Sequence, residues 1–218
     1  QIPKNSDLPK LFSAWGIEMT PERFAADRGT ALRVTVGSQQ RPEPVDYLAW
    51  LQLSKSKGCL SQSDSATGGL ETINVGTAGI LTKKPEATIK FEPLLQTTSN
   101  AAAMDVKSVQ FMPDPKQLLN DFQSGGKPLT IAARISGKVK TAFPNGDPAK
   151  PAPAEGQPPA PDTSLKESAN EAEIIVVADC DMLTDRFWIT ESRLGNLLLG
   201  YQKLADNGEL IIGAADNL

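Results

Sequence analysis

The residues best placed to do chemistry are three aspartates, Asp179, Asp181 and Asp185, which follow directly on the apolar run Ile174 to Ala178. Carboxylates just past the end of a buried strand stand where open α/β sheets bind their ligands. Three of them could hold Mg²⁺ or Ca²⁺, which prefer oxygen donors. The simpler account needs no metal. Asp181 would cap the helix that follows, its carboxylate accepting backbone N–H bonds, and Asp185 would pair with Arg186 or a neighbouring segment. Arg186, Phe187 and Trp188 come next. Arg186 and Trp188 belong to residue types enriched in binding hot spots, while aromatics on a helix more often pack inward. Asp179, Asp181, Asp185, Arg186 and Trp188 are therefore the candidate ligand or partner surface, with no catalytic residue and no metal ligand assigned.

Absences narrow the chemistry further. The 218 residues contain no histidine, so a Ser-His-Asp or Cys-His nucleophile lacks its base and His-ligated zinc lacks its ligand. Ser164 and Lys166 could suggest a Ser-Lys pair, but nothing beside the adjoining proline-rich stretch would preorganise them. The two cysteines, Cys59 and Cys180, are too few for a four-cysteine metal site and too far apart for a C-x-x-C motif. They could form one disulfide; the plainer expectation is a buried Cys180 and a loop Cys59. Neither G-x-x-x-x-G-K-[ST] nor G-x-G-x-x-G occurs after a strand pattern. Gly76-Thr77-Ala78-Gly79 is too short to cradle a pyrophosphate and reads as a kinked strand. The net charge is −4, and without a basic stripe nucleic-acid binding is not expected. No cofactor is implied.

These residues need a scaffold. Hydrophobic residues make up 39% of the chain and aromatics 6%, so a core can form and it must be mainly aliphatic. Asp7 to Trp15 reads as a helix stopped by Gly16, and Ile17 to Met19 as a strand. Thr20-Pro21-Glu22 has the form of a helix start. Leu32 to Val36, Val45 to Leu53 and Leu129 to Val139 read as strands, and Leu70 to Leu81 as a glycine-bent strand. Thr88 to Phe91 and Leu94 to Thr98 are short strands broken at Pro93. Asp114-Pro115 opens a helix that Gly125-Gly126 closes. Residues 144–162 hold seven of the seventeen prolines, which predicts a flexible surface loop. Ile174 to Ala178 has the composition of a strand covered on both faces. A helical pattern with Leu183, Phe187 and Trp188 follows, and Asn207 to Leu218 reads as an amphipathic helix or, because of Gly208 and Gly213, as a short strand. The whole predicts a single α/β domain over 1–218, a mixed sheet with flanking helices. No apolar run approaches the roughly 20 residues that span a bilayer.

Several ordered strings resemble one bacterial family: Asp7 through Glu18, Val45 through Leu51, Phe91 through Thr98, Ala133 through Pro144, Val176 through Trp188, and the Ala-Asp-Asn steps at Ala205 and Ala215. Together they resemble the auxiliary component of gliding-motility-type ABC transport systems, the GldG-like family, whose domain type is related to part of the eukaryotic intraflagellar transport proteins. The resemblance covers nearly the whole chain apart from the proline-rich stretch. Cys180 departs from it, standing where a small polar residue such as threonine is expected, which argues against a disulfide shared across the family.

The resemblance implies a Rossmann-like fold, here an incomplete unit of a larger extracytoplasmic domain. It implies anchoring in the membrane by segments outside this chain, on the periplasmic side of the bacterial inner membrane. It also implies an ABC-2-type permease and a separate ATPase as partners. The family offers no catalytic residues to carry over, and the expected role is a non-catalytic interaction domain. A small-ligand or carbohydrate-binding domain, with Trp50 and Trp15 as stacking candidates, is the alternative. A divalent-metal hydrolase built on the three aspartates is the third reading.

Overall fold

A computed structural model describes residues 7–38, 40–146 and 164–218. The elements in chain order are α1 (Pro9–Ala14), β1 (Ile17–Met19), β2 (Arg23–Asp27), β3 (Ala31–Ser38), β4 (Arg41–Ser54), β5 (Thr72–Gly76), β6 (Leu81–Lys83), β7 (Lys90–Gln96), β8 (Ala101–Asp105), α2 (Lys107–Gln110), α3 (Pro115–Asp121), β9 (Thr130–Gly137), β10 (Ala172–Val177), α4 (Asp185–Trp188), β11 (Ile189–Leu194), β12 (Leu197–Lys203) and α5 (Asn207–Asp216). The expectation of a proline-rich loop over 144–162 falls almost wholly outside the described residues.

The mixed α/β character holds, but strands dominate and the helices are short. Two three-stranded sheets, in the orders β3-β4-β5 and β10-β9-β7, are joined by the pairs β1-β6, β2-β8 and β11-β12. Every named pairing among the described residues is antiparallel. The Rossmann-like expectation is not confirmed. Parallel neighbours need crossover connections of about a dozen residues or more, usually helical. Here the longest described helix, α5, has ten residues and follows the last strand instead of joining two.

The core lies between the two three-stranded sheets. Leu51, Leu53, Ile73 and Val75 from β4 and β5 share it with Leu94, Leu95, Ile131 and Ala132 from β7 and β9. Met182 and Leu210 close one side of it. A second core sets Phe12, Ile17 and Leu81 against Ala133, Ile135 and Val176. A third packs β2, β4 and α3 through Phe24, Tyr47, Leu48 and Leu118. The Ile174–Val177 run does serve two faces: Ile175 and Val177 touch the first core, Ile174 and Val176 the second. Among the described residues it pairs only with β9, however, so as an edge strand it is half-buried where a central one would be enclosed.

Local signals were overridden in several places. Thr20-Pro21-Glu22 starts no helix. Phe24, Ala25 and Ala26 are fully buried in β2, Ala25 donates to the Ala78 carbonyl at 2.8 Å, and pairing with β8 outweighs the helix-start pattern. The two strands expected on either side of Pro93 are one strand, β7, with register shifts there. Residues 189–203, with no expected element, form the β11-β12 hairpin. The single glycine-bent strand expected over 70–81 is instead two: β5 ends at Gly76, Thr77 takes a φ of 56°, and β6 starts at Leu81 in a different sheet.

Candidate functional site

The site is built where β10 ends beside β5. Asp179 leaves the strand and turns its carboxylate towards β5. Oδ2 accepts the Gly76 N–H at 2.7 Å and Oδ1 accepts the Asp181 N–H at 2.8 Å. This ties β10, in one three-stranded sheet, to β5, in the other. Burial pushes the Asp179 carboxyl up to about 6, and the backbone N–H bonds from Gly76 and Asp181 pull it partway back.

The next residues are held by what they bury. Met182 and Phe187 are 1% and 2% exposed. Phe187 lies so close over Gly76 that a side chain there would overlap its ring, which is why glycine ends β5. The Phe187 and Trp50 rings meet edge to face at 5.5 Å, and Trp50 meets Tyr47 in the same way at 5.5 Å. Arg186 remains exposed, with its guanidinium carbon 5.1 Å from the ring centroids of both Trp50 and Phe187. A cation over two rings is held by their negative faces. Trp188, half-buried, donates its indole N–H to the Leu183 carbonyl at 3.2 Å and packs on Gly208.

The five predicted residues thus separate by role. Asp179 is a structural clamp. Asp181, Asp185 and Arg186 are exposed on one short segment, and Trp188 packs at its base. The capping role expected of Asp181 is not seen: the N-cap of α4 is Thr184, with no side-chain cap bond, and the aspartate that accepts a backbone N–H in this turn is Asp179. No ion pair joins Asp185 to Arg186 among the described residues. Nor do the three carboxylates converge; among the described residues no group of three or more His, Cys, Asp or Glu is arranged to hold a metal ion. The environments of the two cysteines are opposite to expectation, Cys59 being buried and Cys180 exposed.

What holds this segment in place was hidden in the sequence. Asn207, fully buried at the start of α5, accepts the Asn74 N–H at 3.0 Å and donates to the carbonyls of Asn74 at 2.7 Å and Met182 at 2.6 Å. Asn74 donates its side-chain amide to the Phe187 carbonyl at 2.6 Å. Its own buried Oδ1 has no partner among the described residues. Asp206 accepts the N–H groups of Glu71 and Thr72 at 2.8 and 3.0 Å, and its other oxygen takes Lys203 at 2.7 Å. The Ala205-Asp206-Asn207 string carries these contacts, yet two asparagines 133 residues apart leave no local signal.

A concave region opens beside β7 and β9, next to the C-terminal end of α5. A cleft of roughly 500 Å³ is lined by Ser61, Ser63, Asp64, Glu92, Arg134 and Asn217, among others. Arg134 holds Asp64 through two bonds at 2.6 and 3.1 Å. That guanidinium keeps the Asp64 carboxyl below the usual carboxylate range. Trp15 and Trp50, the candidate sugar platforms, are half-buried, Trp15 against the second core and Trp50 against the third. No helix among the described residues is long and apolar enough to cross a membrane.

Comparison with the curated proteins and with the solved structures returns no match. A family model does match, over residues 1–214, and it is described as an ABC-type uncharacterized transport system. That span takes in the clamp, the exposed Asp181–Arg186 segment and the asparagine network alike. The chain belongs to this family of auxiliary proteins of ABC-type transport systems.

Proposed function

We propose that the chain is a non-catalytic accessory domain that binds another protein of its transport system through Asp181, Asp185 and Arg186. The observation that carries this reading is the Arg186 guanidinium, exposed and at the same time stacked on Trp50 and Phe187. A pre-positioned arginine on an aromatic base loses little side-chain freedom on binding, the condition under which such a residue contributes most to an interface. The two exposed carboxylates beside it favour a partner that presents both a basic group and an acceptor. The resemblance to gliding-motility-type auxiliary components supports an ABC-2-type permease and its ATPase as the partners, and the extracytoplasmic side of the inner membrane as the location.

The experiment is co-purification of the tagged full-length protein from detergent-solubilised membranes, with mass spectrometry of what accompanies it. A permease and an ATPase in the wild-type sample, both lost with Asp185→Ala/Arg186→Ala, is the expected result. These positions are exposed, so the variant keeps its fold. Recovery unaffected by the variant places the interface elsewhere; a wild-type protein recovered alone removes the accessory reading.

A polar small ligand in the Asp64/Arg134 cleft is the second reading, favoured by the serine hydroxyls, Glu92 and Asn217 that line one concavity. Calorimetric titration with cell-wall sugars that yields no heat sets it aside.

A further inference from the structure

The β11-β12 hairpin ends in an apolar tip that the rest of the described chain does not cover. Leu194, Leu197, Leu198 and Leu199 are 71%, 63%, 40% and 60% exposed, and Tyr201 behind them is 62% exposed. Gly195 takes the positive φ, 61°, that the first central position of a tight hairpin turn requires. We propose that this tip docks the domain on a lipid bilayer, seating its leucines in the interfacial zone and Tyr201 at headgroup level.

Three observations favour lipid over a protein occupant. First, the apolar residues lie on both faces of the ribbon. The neighbouring cross-strand pairs are Arg193 with Leu198 and Leu194 with Leu197, and successive pairs point to opposite faces. A protein groove covers one face, whereas a fluid apolar medium surrounds both. Second, the four leucines expose on the order of 400 Å² in total, about half of what one partner contributes to a standard stable interface. Third, the edges of the ribbon are poor templates for strand addition. A register shift interrupts the pairing between Ser192 and Arg193, and Gly200 opposite takes a φ of 150°; such irregularities blunt an edge.

The dimensions fit an interfacial position. Leu197 to Leu199 spans two strand rises, about 7 Å, within the roughly 5–10 Å to which interfacial segments sink. Tyr201 follows at the depth where tyrosine is enriched at membrane surfaces. The charges on the ribbon are already paired: Arg193, level with Leu198, with Glu191 at 2.6 Å, and Lys203, behind the tip, with Asp206 and Glu209 at 2.7 and 2.8 Å. Attraction to anionic headgroups therefore contributes little, and docking is driven by apolar area.

The test is flotation of the 218-residue chain with extruded phosphatidylcholine vesicles, repeated with one-fifth phosphatidylserine and at raised salt. The expected result is co-flotation that neither salt nor phosphatidylserine changes, weakened on the order of tenfold for each of Leu197→Ser and Leu199→Ser. Ile212→Ser, at an exposed apolar position on α5, leaves it unchanged. A Leu198→Trp reporter shows a blue-shifted emission quenched by shallow brominated lipid. The proposal is overturned if the wild type does not float, if both serine variants float as well as it does, or if vesicles are ignored while those variants dissolve a homodimer seen by sedimentation.

Discussion

Replacing Asp179 by asparagine tests whether its half-buried carboxylate is held at a cost. Its pKa in the folded protein is about 6, against about 3.9 in an unfolded chain. Between these values the folded state binds more protons than the unfolded one, so stability falls as pH rises from about 4 to about 6. At 1.36 kcal/mol per unit, the loss attributable to this group is about 2–3 kcal/mol once it is ionised. Asparagine has nearly the same shape and no charge, so it lacks this pH dependence, although its NH2 cannot accept the second of the two backbone N–H bonds and the variant carries that cost at every pH. The expected outcome is that Asp179→Asn gains about 2–3 kcal/mol on the wild type between pH 4 and pH 7. Urea unfolding at half-unit steps, followed by tryptophan fluorescence, measures the difference directly. Wild-type and variant curves that stay parallel across this window would show that the carboxylate is solvated and that its bonds to Gly76 and Asp181 are not made in a desolvated site.

Gly76→Ala forces the Phe187 ring to move and is expected to destabilise by about 1–3 kcal/mol; combined with Phe187→Leu, part of that loss is recovered, and strictly additive costs in chemical denaturation would contradict the close approach. Arg134→Met leaves Asp64, 12% exposed at its side chain, without its partner and is expected to cost about 3–5 kcal/mol. Because Arg134 depresses the Asp64 carboxyl, the wild type keeps the pair's contribution above about pH 4 and loses it as pH falls further; the variant lacks that acid-side decline in a pH-scanned melt. A thiol reagent should modify exposed Cys180 in the native protein, whereas Cys59, buried and with its thiol pKa raised by burial, reacts only on unfolding; two equally fast thiols would refute the burial of Cys59.

The elements legible in the sequence are those whose periodicity and boundary residues agree. α1 stops at Gly16, α3 is capped by Asp114, whose carboxylate accepts the N–H groups of Lys116 and Gln117, and β3, β4 and β9 show their apolar patterns directly. β8 was not legible because Ala101-Ala102-Ala103 has no alternation; its place is set by pairing with β2. The β11-β12 hairpin was missed because its leucines gather at a turn and do not alternate along a buried face. At the site, the sequence marks Asp179 as an acid following a strand, but its role depends on Gly76, 103 residues away. Antiparallel pairing throughout was equally unreadable, since the same apolar runs suit either strand direction.

Asn207 decides whether the Arg186 surface and the hairpin act as one body. Met182 and Phe187 flank Asp185 and Arg186, and their carbonyls accept from Asn207 and Asn74. The hairpin returns to the same segment through Leu204, which donates to the Trp188 carbonyl at 2.7 Å. Two contacts with separate targets reinforce each other only when the geometry between them is fixed. Asn207→Ala leaves the Asn74 N–H and two carbonyls without their partner. At about 1–2 kcal/mol for each buried group left unpaired, the expected cost is about 3–5 kcal/mol. Native-state hydrogen exchange should place that loss locally: the amides of α5 and of β11 and β12 exchange faster, while those of β9 keep their protection. Co-purification with the transporter should weaken as well, although no exposed residue has changed. Exchange that accelerates equally in β9 would mean that the asparagine supports the whole core and not this junction, and the coupling between the two surfaces would then have to rest on Asp206 and Trp188 alone.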